Sequence, residues 1–177
     1  AGGDEATLLA RNAADQAVIY LEADPGNATK ILYTAQVEAW AGRTSDAVNR
    51  LESLISSTGN RQAYILLATI YRDSGQRGSM QNVFSRLSNA YPNDPLANYM
   101  MGAFYYQSGS NKARISELVP ENVSTWESAI NDLNTAISYL SQVTGYRAGN
   151  AQSMINAANN SISLCEEKID RVERYSQ

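Results

Sequence analysis

The helix-breaking residues of this chain recur at a nearly fixed interval, and that periodicity restricts the fold more than any other feature. Asp24-Pro25-Gly26-Asn27, Ala41-Gly42-Arg43, Ser57-Thr58-Gly59-Asn60, Ser74-Gly75-Gln76 and Tyr91-Pro92-Asn93-Asp94-Pro95 punctuate the first half. Each break supplies a glycine able to close a helix in the left-handed conformation, or a proline that stops the helix before it. Between the breaks, apolar residues fall three and four apart in stretches rich in Ala, Leu, Gln and Arg, the period of a half-buried helix. No run alternates β-branched and polar residues between hairpin turns, so strands are not expected. The intervals leave helices of roughly 12 to 16 residues, and turns this short make neighbouring helices antiparallel.

The stretches between breaks also match one another. Tyr64-x2-Leu67-Ala68-x2-Tyr71 precedes Gly75, Met80, Phe84, Leu87 and Pro92. A single forward step along the chain lays Leu67 on Met101, Ala68 on Gly102, Tyr71 on Tyr105 and Gly75 on Gly109. A backward step, shorter by one position, lays Gly75 on Gly42, Met80 on Ala47, Phe84 on Leu51 and Leu87 on Leu54. Small residues such as Ala68 and Gly102 suit the crossing of two paired helices. Large ones, Tyr64, Leu67, Tyr71, Met101 and Tyr105, fill the space between pairs.

On these residues the chain resembles the tetratricopeptide repeat (TPR) family, whose pattern is W-x2-L-G-x2-Y, then A-x3-F, then P, over a repeat of about 34 residues. The resemblance implies an all-α fold, a right-handed superhelical solenoid of antiparallel helix pairs, with 1–177 as a single domain. Its expected parts are an N-terminal helix at 5–24 that looks like half a repeat, and repeats at 27–59, 61–94 and 95–142. A long capping helix is expected at 150–175.

Four departures from the family pattern stand out. The first helix of 27–59 fits poorly, with Val37 and Glu38 competing for the aromatic slot. Met80 stands where the pattern has a small residue. Ala13-x3-Ala17 with Pro25 reads as a second helix lacking its first. After Gly109, where the pattern turns, Ser124-Thr125-Trp126-Glu127 reads as a capping box that opens the next helix. Residues 110–123 then form an insertion, which packs somewhere because it holds Ile115, Leu118, Val119 and Pro120. At the far end, Met154, Ala158, Ile162, Cys165, Ile169 and Val172 step by fours and threes. Such a stripe suits a helix that covers the last repeat, or a heptad seam that makes a homo-oligomer.

The chemistry expected of the chain is mostly exclusion. Histidine is absent and Cys165 is the single cysteine, which removes the commonest general base, the commonest neutral metal ligand and any internal disulfide. Phosphate-cradling and nucleophile-elbow motifs are missing, and the adjacent carboxylates Asp4-Glu5 and Glu166-Glu167 point different ways on a helix. No catalytic residue, metal site or cofactor is therefore expected. A net charge of −4, with lysine only at 30, 112 and 168, argues against nucleic acid. No apolar stretch approaches the ~20 residues that span a bilayer. The start at Ala1-Gly2-Gly3 without Met reads as a processed or truncated chain and leaves the compartment open.

The resemblance implies a concave groove lined by the first helix of each pair. The residues it assigns there are Gln36 and Trp40, then Gln62, Ile65, Thr69 and Arg72, then Leu96, Tyr99, Ala103 and Tyr106. The expected function is a non-catalytic adaptor or scaffold that binds a peptide or protein segment by stacking and side-chain hydrogen bonds. The alternative is structural self-association within a larger oligomeric or multi-repeat assembly. Tyr99 and Tyr106, seven residues apart on one helix, equally suit core packing.

Overall fold

A computed structural model describes residues 2–175, with side chains from Glu5 onward, so the start at Ala1 and the side chain of Asp4 lie outside the described residues. Those residues form helices and turns with no strand. They divide into two compact units, 1–90 and 91–177.

The first unit holds α1 (Gly2–Glu22), α2 (Ala28–Trp40), α3 (Thr44–Thr58), α4 (Arg61–Asp73) and α5 (Arg77–Ala90). Helices α2 with α3, and α4 with α5, form consecutive antiparallel pairs, and α1 packs on α2. The turns follow the sequence breaks. Gly42, Gly59 and Gly75 take φ of 78°, 63° and 71°, the left-handed conformation that a side chain resists. The side chains of Asn27 and Asn60 accept from the amides of Lys30 and Ala63, so each paired unit opens on the same cap, one repeat apart. Inside, the repeat is equally regular: Leu21, Leu54 and Leu87 are all buried, as are Ala14, Ala47 and Met80. This array fixes two uncertain registers. Ala14, not Ala13, takes the small-residue slot of α1, because Ala13 faces solvent. Glu38 falls on the aromatic slot of Tyr71, where it is 2% exposed and bonded twice by the Arg50 guanidinium, at 2.9 and 2.6 Å.

The second unit holds α6 (Pro95–Ala113), α7 (Val123–Leu140) and α8 (Ala148–Tyr175). Asp94, with Pro95 in the first turn, accepts from the amides of Leu96 and Ala97 and repeats the cap of the earlier pairs. Helices α6 and α7 pack along their length, and α8 lies on both.

Here the structure corrects two expectations, at Gly109 and at the capping box, and decides between the two readings of the α8 stripe. Gly109 is no turn: α6 runs through it to Ala113, so the first four residues of the expected insertion are helical. Gly109 instead serves the crossing, since a Cβ there would meet Ala129 O at 2.9 Å and Leu133 Cγ at 2.6 Å. The capping box does not form. Helix α7 begins at Val123 on Asn122, whose side chain donates to Glu117 O, and Ser124 is already inside the helix. The heptad stripe of α8 turns inward. Ala151, Ala158, Cys165 and Val172, seven apart, are buried, and both clusters they join include residues of α7. A homo-oligomer through that stripe would have to displace α7.

The remaining loop is held from three sides. Trp126 Nε1 donates to Ile115 O, and Ile115 packs on the Trp126 cluster. The Lys168 ammonium donates to Ala113 O at 2.8 Å and Ile115 O at 2.6 Å, capping the α6 C-terminus where cations are favoured. Lys168→Met should therefore release the loop while leaving α6 and α7 paired. Hydrogen exchange should show faster exchange confined to 114–122 and the Trp126 indole N–H; unchanged protection would refute the clamp.

Candidate functional site

Two helices of the first unit build a cleft on the expected groove face. Helices α2 and α4 lie side by side, and between them opens a cleft of about 220 Å³. Gln36 and Trp40 stand one turn apart on its α2 wall; Leu66, Thr69 and Asp73 line the α4 wall. Trp40 is 73% exposed, a large apolar ring held at the rim instead of in the core. Thr69 donates to Ile65 O and leaves its lone pairs for a visiting donor. At the mouth, Arg72 donates to Asp73 at 2.9 Å, with both side chains well exposed. That volume falls below the ~300 Å³ of typical small-molecule pockets.

The structure thus brings Gln36, Trp40 and Thr69 together. Gln62 is exposed and Ile65 half-buried on α4 outside the cleft lining, and Arg72 contributes only through its pair with Asp73. Sequence reasoning missed Leu66 and Asp73. They directly follow Ile65 and Arg72, on the edge of α4 nearer α2, one position from the stripe the family pattern suggested.

In the second unit the assigned residues do different work. Tyr99 and Tyr106 pack against the cluster of Ala136, Leu140, Val143 and Ala151, and the Arg147 guanidinium lies 5.5 Å from the Tyr99 ring centre. They rest on the α7–α8 core, as their spacing allowed. Leu96 and Ala103 are half-buried on the same helix.

No group of three or more metal-ligating side chains occurs among the described residues. Two polar networks invite a chemical reading. Lys112 donates to both Ser128 (2.8 Å) and Asp132 (2.7 Å), and Ser108 donates to Asp132 at 2.6 Å. An ammonium held in an ion pair has no lone pair to activate Ser128, so this network ties α6 to α7. Arg86 bonds both oxygens of Glu52 and holds that carboxyl below its ordinary range. Burial pushes the Cys165 thiol up, the opposite of a reactive cysteine. No described helix is long and apolar enough to cross a membrane.

Consecutive antiparallel helix pairs with repeating caps and crossings define a TPR-type fold. No family model matches the chain, and no curated protein matches it. Two crystal structures of MamA are similar, each at 16% identity. One has a TM-score of 0.46, covering 94% of this chain and 92% of its own; the other scores 0.41, covering 98% and 97%.

Proposed function

We propose that the chain is a non-catalytic protein-interaction module of the TPR family, an adaptor or scaffold that grips a peptide segment in the α2–α4 cleft. The exposed Trp40 beside that cleft carries the reading. Tryptophan is among the residues enriched at binding hot spots, and a partner that covered this ring would desolvate it. The segment presents one bulky apolar or aromatic side chain to the space between Trp40 and Leu66. Backbone groups of the segment meet Gln36 and Thr69, and a basic residue near the mouth suits Asp73. Gln62, Ile65 and Arg72 continue the surface along α4.

A peptide library selected on the native chain tests this. Enriched peptides should share one large apolar residue. Trp40→Ala should weaken their binding by about 2 kcal/mol, roughly thirty-fold, with helicity unchanged by circular dichroism. Peptides that bind Trp40→Ala as well as the native chain would remove the cleft from the account.

A further inference from the structure

Exposed apolar side chains concentrate at the α1 end of the first unit. Leu8, Leu9, Ile19 and Tyr20 of α1, and Tyr33 of α2, are each more than half exposed. Leu8 with Ile19, and Leu9 with Tyr20, are eleven residues apart, three helical turns, so they form a stripe separate from the buried Ala14, Ala17 and Leu21. Beside the stripe runs a trough of about 610 Å³ between α1 and α2, walled by Ala17, Tyr20, Lys30 and Tyr33.

The repeat shows what such a trough accepts. One repeat later, α2 packs against both α3 and α4, and Ala63 is fully buried. Lys30 holds the position of Ala63 one repeat earlier, yet faces a trough open to solvent. The trough between α1 and α2 is thus shaped for a helix.

We propose that α1 of a second copy of this chain covers it, in a twofold-symmetric antiparallel pairing. Three observations favour this occupant. First, the stripe is self-complementary: a twofold axis near Ala14 sets Leu8 and Leu9 opposite Ile19 and Tyr20 of the second copy. Second, the charges match. Glu5 lies one turn before Leu9, and the same pairing carries it toward Lys30, whose ammonium sits 4.4 Å from the Tyr20 ring centre. Third, the length suffices: α1 has 21 residues, ~31 Å, long enough for both ends of the stripe to be paired at once. The outer face of α8 offers no such match, because exposed Gln152, Asn156, Asn159, Asn160 and Ser163 surround the exposed Leu164. This pairing shares no lining residue with the α2–α4 cleft and does not rest on the function proposed for it.

Sedimentation equilibrium of the full chain over a wide concentration range tests the pairing. The mass should rise from 19.3 kDa toward twice that value, and Leu9→Asp should hold it at 19.3 kDa with helicity retained. Glu5→Lys alone or Lys30→Glu alone should weaken association by about ten-fold, the scale of two symmetric exposed ion pairs turned repulsive. The double variant should restore it. A chain that stays at 19.3 kDa throughout would overturn the proposal. So would a dimer indifferent to Leu9→Asp, or one that the charge exchange fails to restore.

Discussion

Gly109→Ala should destabilise the second unit, and by more than Gly102→Ala does. Alanine ordinarily improves a helix interior by up to about 1 kcal/mol over glycine, so loss at a mid-helix position needs a specific cause. The cause is the α6–α7 crossing. At Gly109 the added Cβ meets a backbone oxygen, Ala129 O, at 2.9 Å, besides Leu133 Cγ at 2.6 Å. A carbonyl inside α7 cannot rotate away, so the helices must part. At Gly102 the close atoms, at 2.5 and 2.7 Å, belong to the Leu140 side chain, and the nearest backbone oxygen, of Ala136, is 3.3 Å away. A side chain can shift. Overpacking of this kind costs about 1 to 3 kcal/mol, enough to exceed the propensity gain. Denaturant unfolding followed through Trp126, which is fully buried in this unit, measures the ranking. Leu133→Ala added to Gly109→Ala should recover little, because the oxygen remains. A neutral or stabilising Gly109→Ala would mean that α6 and α7 do not cross there.

Arg50→Ala should cost the first unit about 3 kcal/mol, the low end for breaking a buried ion pair. Glu38 is 2% exposed, and both its carboxylate oxygens are bonded to the one guanidinium. Removing Arg50 leaves a charge in the slot that its repeat mate fills with a Tyr ring. The pair itself is another matter. Desolvating two charged groups offsets most of their attraction, so a matched apolar replacement, Glu38→Leu with Arg50→Met, should be near neutral or stabilising. Thermal unfolding of Arg50→Ala and of the double variant decides the point. A double variant as unstable as Arg50→Ala would show that packing around the pair, not the buried charge, sets the cost. The Arg50 guanidinium is itself held above its ordinary value, mainly by its bond to Glu38.

The repeat was legible because it is written in residues with few alternatives. A glycine at positive φ, an Asx cap and a buried leucine leave their mark at every turn, so Gly42, Gly59 and Gly75 could be placed from sequence alone. Gly109 misled for the same reason. A glycine in phase with two turn glycines looks like a third, and only the approach of α7 shows that it is there for clearance. Glu38 was ambiguous because a carboxylate in an aromatic slot makes sense only with Arg50, twelve residues away on the facing helix. The site was half legible. Gln36, Trp40 and Thr69 follow from helix phase, but Leu66 and Asp73 depend on how α4 is rotated toward α2. No periodicity records that rotation. Tyr99 and Tyr106 carry the same spacing whether they face a ligand or α8, so their role had to wait for the position of α8.

The chain has two tryptophans in opposite settings, and this gives the cleft a direct test. Trp40 is 73% exposed and Trp126 fully buried, so acrylamide should quench the first and leave the second largely untouched. Quenching would be measured with and without a saturating library-selected peptide. If the cleft binds the segment, the peptide should protect the accessible tryptophan and shift its emission to the blue, and neither change should occur in Trp40→Ala. A peptide that binds the native chain while Trp40 remains fully quenchable would contradict the account.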